Sequence, residues 1–155
     1  MIKFVSGDIL RTKTQYLAQS VAVGSQEGLG TGWALKISKK WADAQKQFKR
    51  FTLNNKFEGG NLFVAPPEEG RPGIIYIATQ PDMYHAVLPF LNKGLRNLSA
   101  FCLKNKVESV SLPKIGAGLG KLGWEREVKP LMLKHLQAGA TLFHIYEDFK
   151  NEYEK

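Results

Sequence analysis

Residues 111–127, "SLPKIGAGLGKLGWERE", decide the fold class of this chain. The stretch starts at the end of a short apolar run, passes through glycines at 116, 118, 120 and 123, and leads into the helix-like segment "WEREVKPLMLKHL". A strand, a glycine-rich loop and a helix in this order are typical of α/β proteins, whose ligands bind beyond the carboxyl ends of the strands. Glycine lacks a Cβ, so backbone N–H groups there can approach and surround a phosphate.

A second stretch, "GLGTGWALKISKKW" at 28–41, repeats this order: it follows an apolar run, contains alternating glycines, and enters a helix with an early tryptophan. Two such loops at one edge of a sheet would form two sides of a cleft that suits a diphosphate, because helix N-termini attract anions. Tight turns alone would explain either loop by itself. The two loops together favour a phosphate-binding cradle.

The remaining segments alternate between strand and helix patterns. Predicted strands cover 1–6, 16–23, both sides of a Pro/Gly turn at 66–73, "VESVSLP" and "ATLFHIYED". Predicted helices cover 33–40, 42–51, "VLPFLNKGLRNLSAFCLKN" and the segment that begins at Trp124. The third helix has a clear apolar face, formed by Val87, Leu91, Leu95, Leu98 and Cys102. The pattern predicts a three-layer α/β/α fold with a mixed, mostly parallel sheet of about six strands.

The composition is that of one globular domain, and we expect residues 1–155 to form it. No apolar run approaches the length that spans a membrane, and the first residues do not form a signal peptide. The one cysteine, Cys102, excludes an internal disulfide and a cysteine-based zinc site. We therefore expect a cytoplasmic monomer with no metal, no cofactor and no membrane partner.

The formal net charge of +8 favours an acidic partner. Basic residues are densest in "KKWADAQKQFKR" at 39–50, which at helical spacing is first of all a solvated helix face. The alternative is a surface that binds nucleic acid. Its residues would be Lys39, Lys40, Lys46, Lys49 and Arg50.

Two common phosphate-binding motifs are absent. Neither glycine-rich loop fits G-x-G-x-x-G cleanly, and the first strand leads into "GDIL" and not into glycines. Residues 116–121 lack the hydroxyl residue of a Walker A motif, because Leu122 follows Lys121. These departures disfavour a dinucleotide dehydrogenase and a P-loop ATPase.

Three blocks resemble the macro domain family in order and spacing: "FVSGDIL" at 4–10, "GLGTGWALKISKKW" at 28–41 and "LPKIGAGLGKLGWE" at 112–125. The resemblance covers nearly the whole chain. It is strongest to the branch that includes the terminal ADP-ribose protein glycohydrolase, which "YIAT" at 76–79 and "CLKN" at 102–105 also fit. It implies a single macro domain that binds ADP-ribose in a cleft at the sheet edge.

The resemblance also implies site residues. Asp8 would accept a hydrogen bond from the adenine amino group beside the backbone of Ile9, although a turn cap is the simpler interpretation of Asp8. Tyr146 would stack on adenine, or it caps the sheet edge. The diphosphate and the distal ribose would be bound by Gly30, Thr31, Gly32, Gly116, Ala117, Gly118, Leu119 and Gly120.

The chain departs from this branch at its catalytic positions. Gln80 stands where the branch has a nucleophilic lysine, and Gly120 stands where it has an aspartate. Glu27 and Asp82 are the remaining catalytic candidates, and each is also explained as a surface or capping residue. We therefore expect a protein that recognises free ADP-ribose or ADP-ribosylated protein or nucleic acid. The alternative is an ADP-ribosyl hydrolase, or an ADP-ribose-1''-phosphate phosphatase, that uses no lysine.

Overall fold

The computed structural model describes residues 1–23, 32–82, 85–115 and 122–149. Within these ranges one sheet has the strand order β1-β6-β5-β2-β4-β3. Its strands are β1 (Ile2–Gly7), β2 (Tyr16–Ala22), β3 (Leu62–Ala65), β4 (Gly73–Gln80), β5 (Ser109–Leu112) and β6 (Leu142–Phe149). Every neighbouring pair is parallel except the β3–β4 hairpin. The predicted mixed, mostly parallel sheet is confirmed.

Helices pack on both faces of this sheet. They are α1 (Gly32–Lys40), α2 (Ala42–Asn54), α3 (Leu88–Lys104) and α4 (Lys129–Leu136). Alternate residues of β2 enter different cores: Leu17 packs with Ile37 and Phe48 of α1 and α2, whereas Ala18 packs with Leu91 and the other apolar residues of α3 and α4. Because successive strand residues point to opposite faces, these two cores define the three predicted layers.

Helix α3 keeps the predicted apolar face at Leu91, Leu95, Leu98 and Cys102, all buried. The prediction was wrong at Val87, which precedes the helix as its half-buried N-cap residue. The same helix contains the buried Gly94, where an added Cβ would lie 2.5 Å from Cγ2 of Ile77 in β4. The absence of a side chain at this position lets α3 lie close against the sheet.

An aromatic cluster fills the core beneath α2. The ring of Phe48 is stacked on Tyr76 with centroids 4.3 Å apart, and it meets Phe57 edge-on at 5.2 Å. Phe51 packs against Phe63 at 4.8 Å, and Asn55 donates its side-chain amide to the Phe51 carbonyl. These contacts continue α2 to Asn54, beyond the end that the sequence predicted at Phe51.

Arg71 attaches the β3–β4 turn to α2. Its Nε donates to Oδ2 of Asp43 at 2.9 Å, and its Nη1 donates to the carbonyls of Pro66 and Pro72. Desolvation opposes ionisation of Asp43, but the hydrogen bond and charge of Arg71 outweigh it and hold the pKa of that carboxyl below its usual value. Asp43 is therefore ionised and its charge is compensated near neutral pH.

The segment that begins at Trp124 is not a regular helix from its start. Trp124–Val128 forms a π-helical turn, and α4 begins only at Lys129. The Gly123 carbonyl accepts from the N–H groups of both Glu127 and Val128, and Glu127 Oε1 accepts from the Gly123 N–H at 2.8 Å. Pro130 lies in the first turn of α4, where proline is tolerated, so the regular helix begins there.

Candidate functional site

The centre of the sheet has the strand connections at which α/β proteins bind ligands. β2 and β5 are neighbours, but the chain leaves them toward opposite faces, to α1 and α2 after β2 and to α4 after β5. Such a switch point opens a crevice at the carboxyl ends of the two strands. The two glycine-rich stretches follow these two strands in the sequence.

Most of the predicted phosphate-binding residues lie outside the described residues, namely Gly30, Thr31, Gly116, Ala117, Gly118, Leu119 and Gly120. The catalytic candidate Glu27 lies outside them as well. Gly32 is the first residue of α1, as expected of a residue at a helix N-terminus after the first loop.

Asp8 and Tyr146 lie together at one corner of this edge. Asp8 caps the 3₁₀ turn Ile9–Arg11, and its Oδ1 accepts from the backbone N–H of Leu10 at 3.0 Å. A Cβ added to Gly7 would meet Cε2 of Tyr146 at 3.9 Å, so this ring lies beside the residue that precedes Asp8. Asp8 and Tyr146 are both half-buried. The turn-cap interpretation of Asp8 is confirmed, and its contact with adenine stays a prediction.

Ile9 is fully buried in the core below this corner, against residues of β2 and β4. Its carbonyl accepts from the Thr12 N–H at 3.1 Å and closes the turn. The side chain thus fixes the turn, and only the backbone of Ile9 is left for the role that the resemblance implies.

Gln80 and Asp82 lie at the end of β4, next to the end of β2. The Gln80 carbonyl accepts from the Val23 N–H at 2.7 Å, and its side-chain amide donates to the Asp82 carbonyl at 3.0 Å. Asp82 is exposed, and its Oδ1 accepts from the His85 N–H at 2.9 Å. This geometry is that of a turn cap, the alternative given for Asp82 from the sequence.

Two hydroxyl groups near the crevice were not predicted from the sequence. Ser20 Oγ and Thr79 Oγ1 are buried without a hydrogen-bond partner in the described part of the chain. Ser20 is in register with Ile77, two residues before Thr79, so both side chains face the α3 layer. Buried unpaired hydroxyls are rare and cost free energy, which makes these two candidate contacts for a bound molecule or water. No spacing pattern marked them in the sequence.

The end of β5 is supported by Trp124. Its Nε1 donates to Oε2 of Glu147 at 3.0 Å, and the ammonium of Lys114 lies 5.5 Å from its ring centroid. Lys129 lies 3.6 Å from Glu147 and 3.9 Å from Glu125. Lys114 therefore holds the residues after β5 against Trp124 through a cation–π contact.

The described side chains provide no positioned acid–base pair. Burial lowers the pKa of His135, with smaller contributions from Lys134 and Arg96, and the ring bonds Asn92 Oδ1 at 2.6 Å. Burial raises the pKa of the Cys102 thiol to about 11, which excludes it as a thiolate near neutral pH. Among the described residues no group of three or more His, Cys, Asp or Glu could hold a metal, and no helix is long and apolar enough to cross a membrane.

Comparison with known proteins agrees with this fold. The human ADP-ribose glycohydrolase OARD1 is 32% identical over 126 residues, which are 80% of this chain and 77% of that protein. The DNA ADP-ribosyl glycohydrolase of Thermus aquaticus is 28% identical over 161 aligned positions, which cover 97% of this chain but 42% of that protein. The solved macrodomain of Thermus aquaticus DarG has a TM-score of 0.85 at 26% identity, and the match covers 95% of this chain and 98% of that one.

No protein-family model matches the chain. The sheet and the switch point between β2 and β5 define an α/β protein of the kind that binds ligands at the carboxyl ends of its strands. With the identity to the human relative and the fit to the solved macrodomain, the chain belongs to the macro domain family.

Proposed function

We propose that residues 1–155 act as one macro domain that binds ADP-ribose, free or attached to another molecule. The observation that carries the proposal is the switch point between β2 and β5. Both glycine-rich stretches follow these two strands in the sequence, and the Asp8–Tyr146 corner lies on the same sheet edge. The relatives, an ADP-ribose glycohydrolase and a DNA ADP-ribosyl glycohydrolase, support the same ligand.

The proposal gives each part of the edge a role. Asp8 keeps its bond to Leu10 through Oδ1 and accepts from the adenine amino group through Oδ2. Tyr146 stacks on the adenine ring. The glycines of the two loops direct backbone N–H groups at the diphosphate, where a side chain would block the approach.

Calorimetric titration with ADP-ribose tests this function. We expect micromolar affinity for the parent protein. Asp8→Asn should weaken it by roughly 10- to 100-fold, since a charge-assisted hydrogen bond is lost and an amide donor faces the adenine amine. Asparagine is a good cap, so the turn should survive. Gly118→Glu should weaken binding on the order of 100-fold by placing a carboxylate against the diphosphate.

Glu108→Ala is the matched control, because Glu108 is an exposed carboxylate at the opposite end of the strands. Its affinity for ADP-ribose should equal that of the parent. If the parent protein shows no binding at millimolar ADP-ribose, the proposed function is wrong. If Asp8→Asn binds as tightly as the parent, the adenine role of Asp8 is wrong.

The second candidate function is hydrolysis of an ADP-ribosyl linkage, which is favoured by the similarity to two glycohydrolases. In the glycohydrolase branch that this chain resembles, the reaction depends on a lysine and an aspartate at the positions of Gln80 and Gly120. Gln80 lies at the crevice edge beside the end of β2. Glutamine offers no nucleophile at neutral pH and glycine no acid, so we expect little turnover.

Restoring both groups tests this explanation. We expect Gln80→Lys/Gly120→Asp to release ADP-ribose from modified protein or DNA about 100-fold faster than the parent, the lower range for positioned proton-transfer groups. Gln80→Met/Gly120→Ala provides the neutral control. If the parent turns over as fast as the restored variant, the reaction does not need the lysine. Glu27→Ala and Asp82→Ala would then test the two remaining carboxylates as catalytic groups.

A further inference from the structure

We propose that the outer face of α1 and α2 is a binding surface for the phosphate backbone of nucleic acid. This goes beyond ADP-ribose binding. It rests on the proposed function in one respect only, namely that a nucleic acid bound to this surface would place an ADP-ribosylated nucleotide at the ADP-ribose site.

The two helices carry the same arrangement of basic residues ten positions apart. In α1 it is Lys36, Lys39 and Lys40, and in α2 it is Lys46, Lys49 and Arg50. Spacings of three and four place each triplet on one helix face, with neighbouring side chains about 5–6 Å apart at Cβ. Each helix therefore presents a compact group of three cations.

The opposite faces of both helices are buried. Four residues of this segment pack into the core against β2 and β4. They are Ile37 of α1, Trp41 between the two helices, and Ala44 and Phe48 of α2. Of the six basic residues only Lys49 is half-buried, and the others are exposed. The two triplets thus face outward on the same layer of the fold.

The positive charge of this face is largely uncompensated. Residues 32–56 contain seven lysines or arginines and one acidic residue, Asp43. That carboxylate is paired with Arg71 of the β3–β4 turn at 2.9 Å. Within the described ranges Lys39, Lys46, Lys49 and Arg50 form no ion pair, whereas Lys129 on the other face of the sheet has two acidic partners.

Clustered like charges destabilise a helix, and a helix face that only has to stay soluble does not need them. Cations four residues apart on a helix repel and destabilise it, whereas alternating signs would keep the face equally soluble. A polyanion removes that repulsion and releases its own counterions when it binds. The clustering of cations therefore favours a surface that binds an anionic partner over the merely solvated helix face that the sequence first indicated.

The surface reaches the Asp8–Tyr146 corner. The ammonium of Lys40 donates to the carbonyl of Leu10, which lies in the turn that Asp8 caps. A strand bound along the two helices would therefore pass next to the adenine end of the proposed site.

The contacts would be made to phosphates and not to bases. Trp41, the aromatic residue at the junction of the two triplets, is only 8% exposed and offers no stacking platform. Phosphate contacts carry no sequence information, so binding should be independent of sequence and similar for DNA and RNA. This separates the surface from an aromatic single-strand reader.

Fluorescence anisotropy with labelled 20-nucleotide single-stranded DNA and RNA of one sequence tests the surface. The test variant is Lys39→Gln/Lys46→Gln/Lys49→Gln/Arg50→Gln, which spares Lys40 because of its bond to Leu10. The matched control is Lys93→Gln/Arg96→Gln/Lys104→Gln/Lys134→Gln, which removes the same charge from exposed residues of α3 and α4.

We expect the test variant to bind both oligonucleotides on the order of 30-fold more weakly than the parent at low salt. The slope of log affinity against log salt should become shallower by about 3, because each of the four lost phosphate contacts contributes about 0.7. The control should remain within threefold of the parent. Equal losses in both variants, or no binding by the parent at low salt, would overturn the proposal. Tighter binding of poly-ADP-ribose than of DNA and RNA, lost in the same test variant, would overturn the nucleic-acid partner.

A parallel titration with ADP-ribose separates this proposal from the proposed function. The test variant should retain the affinity of the parent for ADP-ribose, because none of its four residues lies in the proposed site. A parent that binds ADP-ribose but no strand would refute the surface alone. A parent that binds the strand but no ADP-ribose would refute the proposed function and leave the surface standing.

Discussion

We expect Phe48→Ala to lower the free energy of unfolding by about 4 kcal/mol, within the range for removing a buried phenylalanine. Phe48 is 1% exposed, stacked on Tyr76 at 4.3 Å and in edge contact with Phe57. Its truncation removes apolar area from the core and leaves a cavity between α2 and the sheet, which the stacked Tyr76 ring cannot fill alone. Urea denaturation at neutral pH measures the loss.

Phe51→Ala is the control for this prediction, because Phe51 lies one turn further along the same helix and is only half-buried. We expect it to cost about 1.5 kcal/mol, in proportion to the smaller area that it buries. Equal costs for the two variants would mean that the stack on Tyr76 is not the centre of this core.

We expect Gly94→Val to destabilise the protein by about 3 kcal/mol, the upper range for overpacking a core. A Cβ at this position would lie 2.5 Å from Cγ2 of Ile77, and valine adds two further methyl groups in the same space. Either α3 moves away from β4 or Ile77 leaves its rotamer, and both changes disturb the core that contains Leu91 and Leu95.

Ala100→Val is the control for a valine introduced at an exposed position of the same helix, because a change from glycine to valine does not itself lose helix propensity. It should cost about 0.6 kcal/mol, because a β-branched side chain loses rotamer freedom in a helix. If Gly94→Val is no worse than this control in urea denaturation, α3 does not depend on the close approach at Ile77.

The type and order of the elements were predictable from the sequence because they follow from local periodicity. The buried side chains of Leu91, Leu95, Leu98 and Cys102 in α3 recur with the period of a helix. Pro89 lies in the first turn of that helix, where it does not interrupt hydrogen bonding. The apolar periodicity did not predict the π-helical turn. The turn depends on the specific hydrogen bonds between Gly123 and Glu127 and on the start of α4 beside Pro130, and periodicity contains no signal for either.

The sequence pattern by itself indicated only the two glycine-rich loops of the candidate site, and the other site residues came from the family resemblance. That β2 and β5 are neighbours follows from pairing between residues almost a hundred positions apart, such as Tyr16 and Val110, and no local pattern contains it. The unpaired hydroxyls of Ser20 and Thr79 were missed for the same reason, because their burial depends on which helix covers the strands.

The pairing of β1 with β6 has a consequence for biosynthesis. Ile2 is in register with Phe143, so the first strand of the sheet has no strand neighbour until the last strand has been made. A ribosome needs on the order of ten to thirty seconds to synthesise the intervening chain. During this delay the unpaired strand and the Asp8 turn that follows it are exposed to chaperones and proteases. The adenine end of the proposed site is thus assembled only after β6 has left the ribosome.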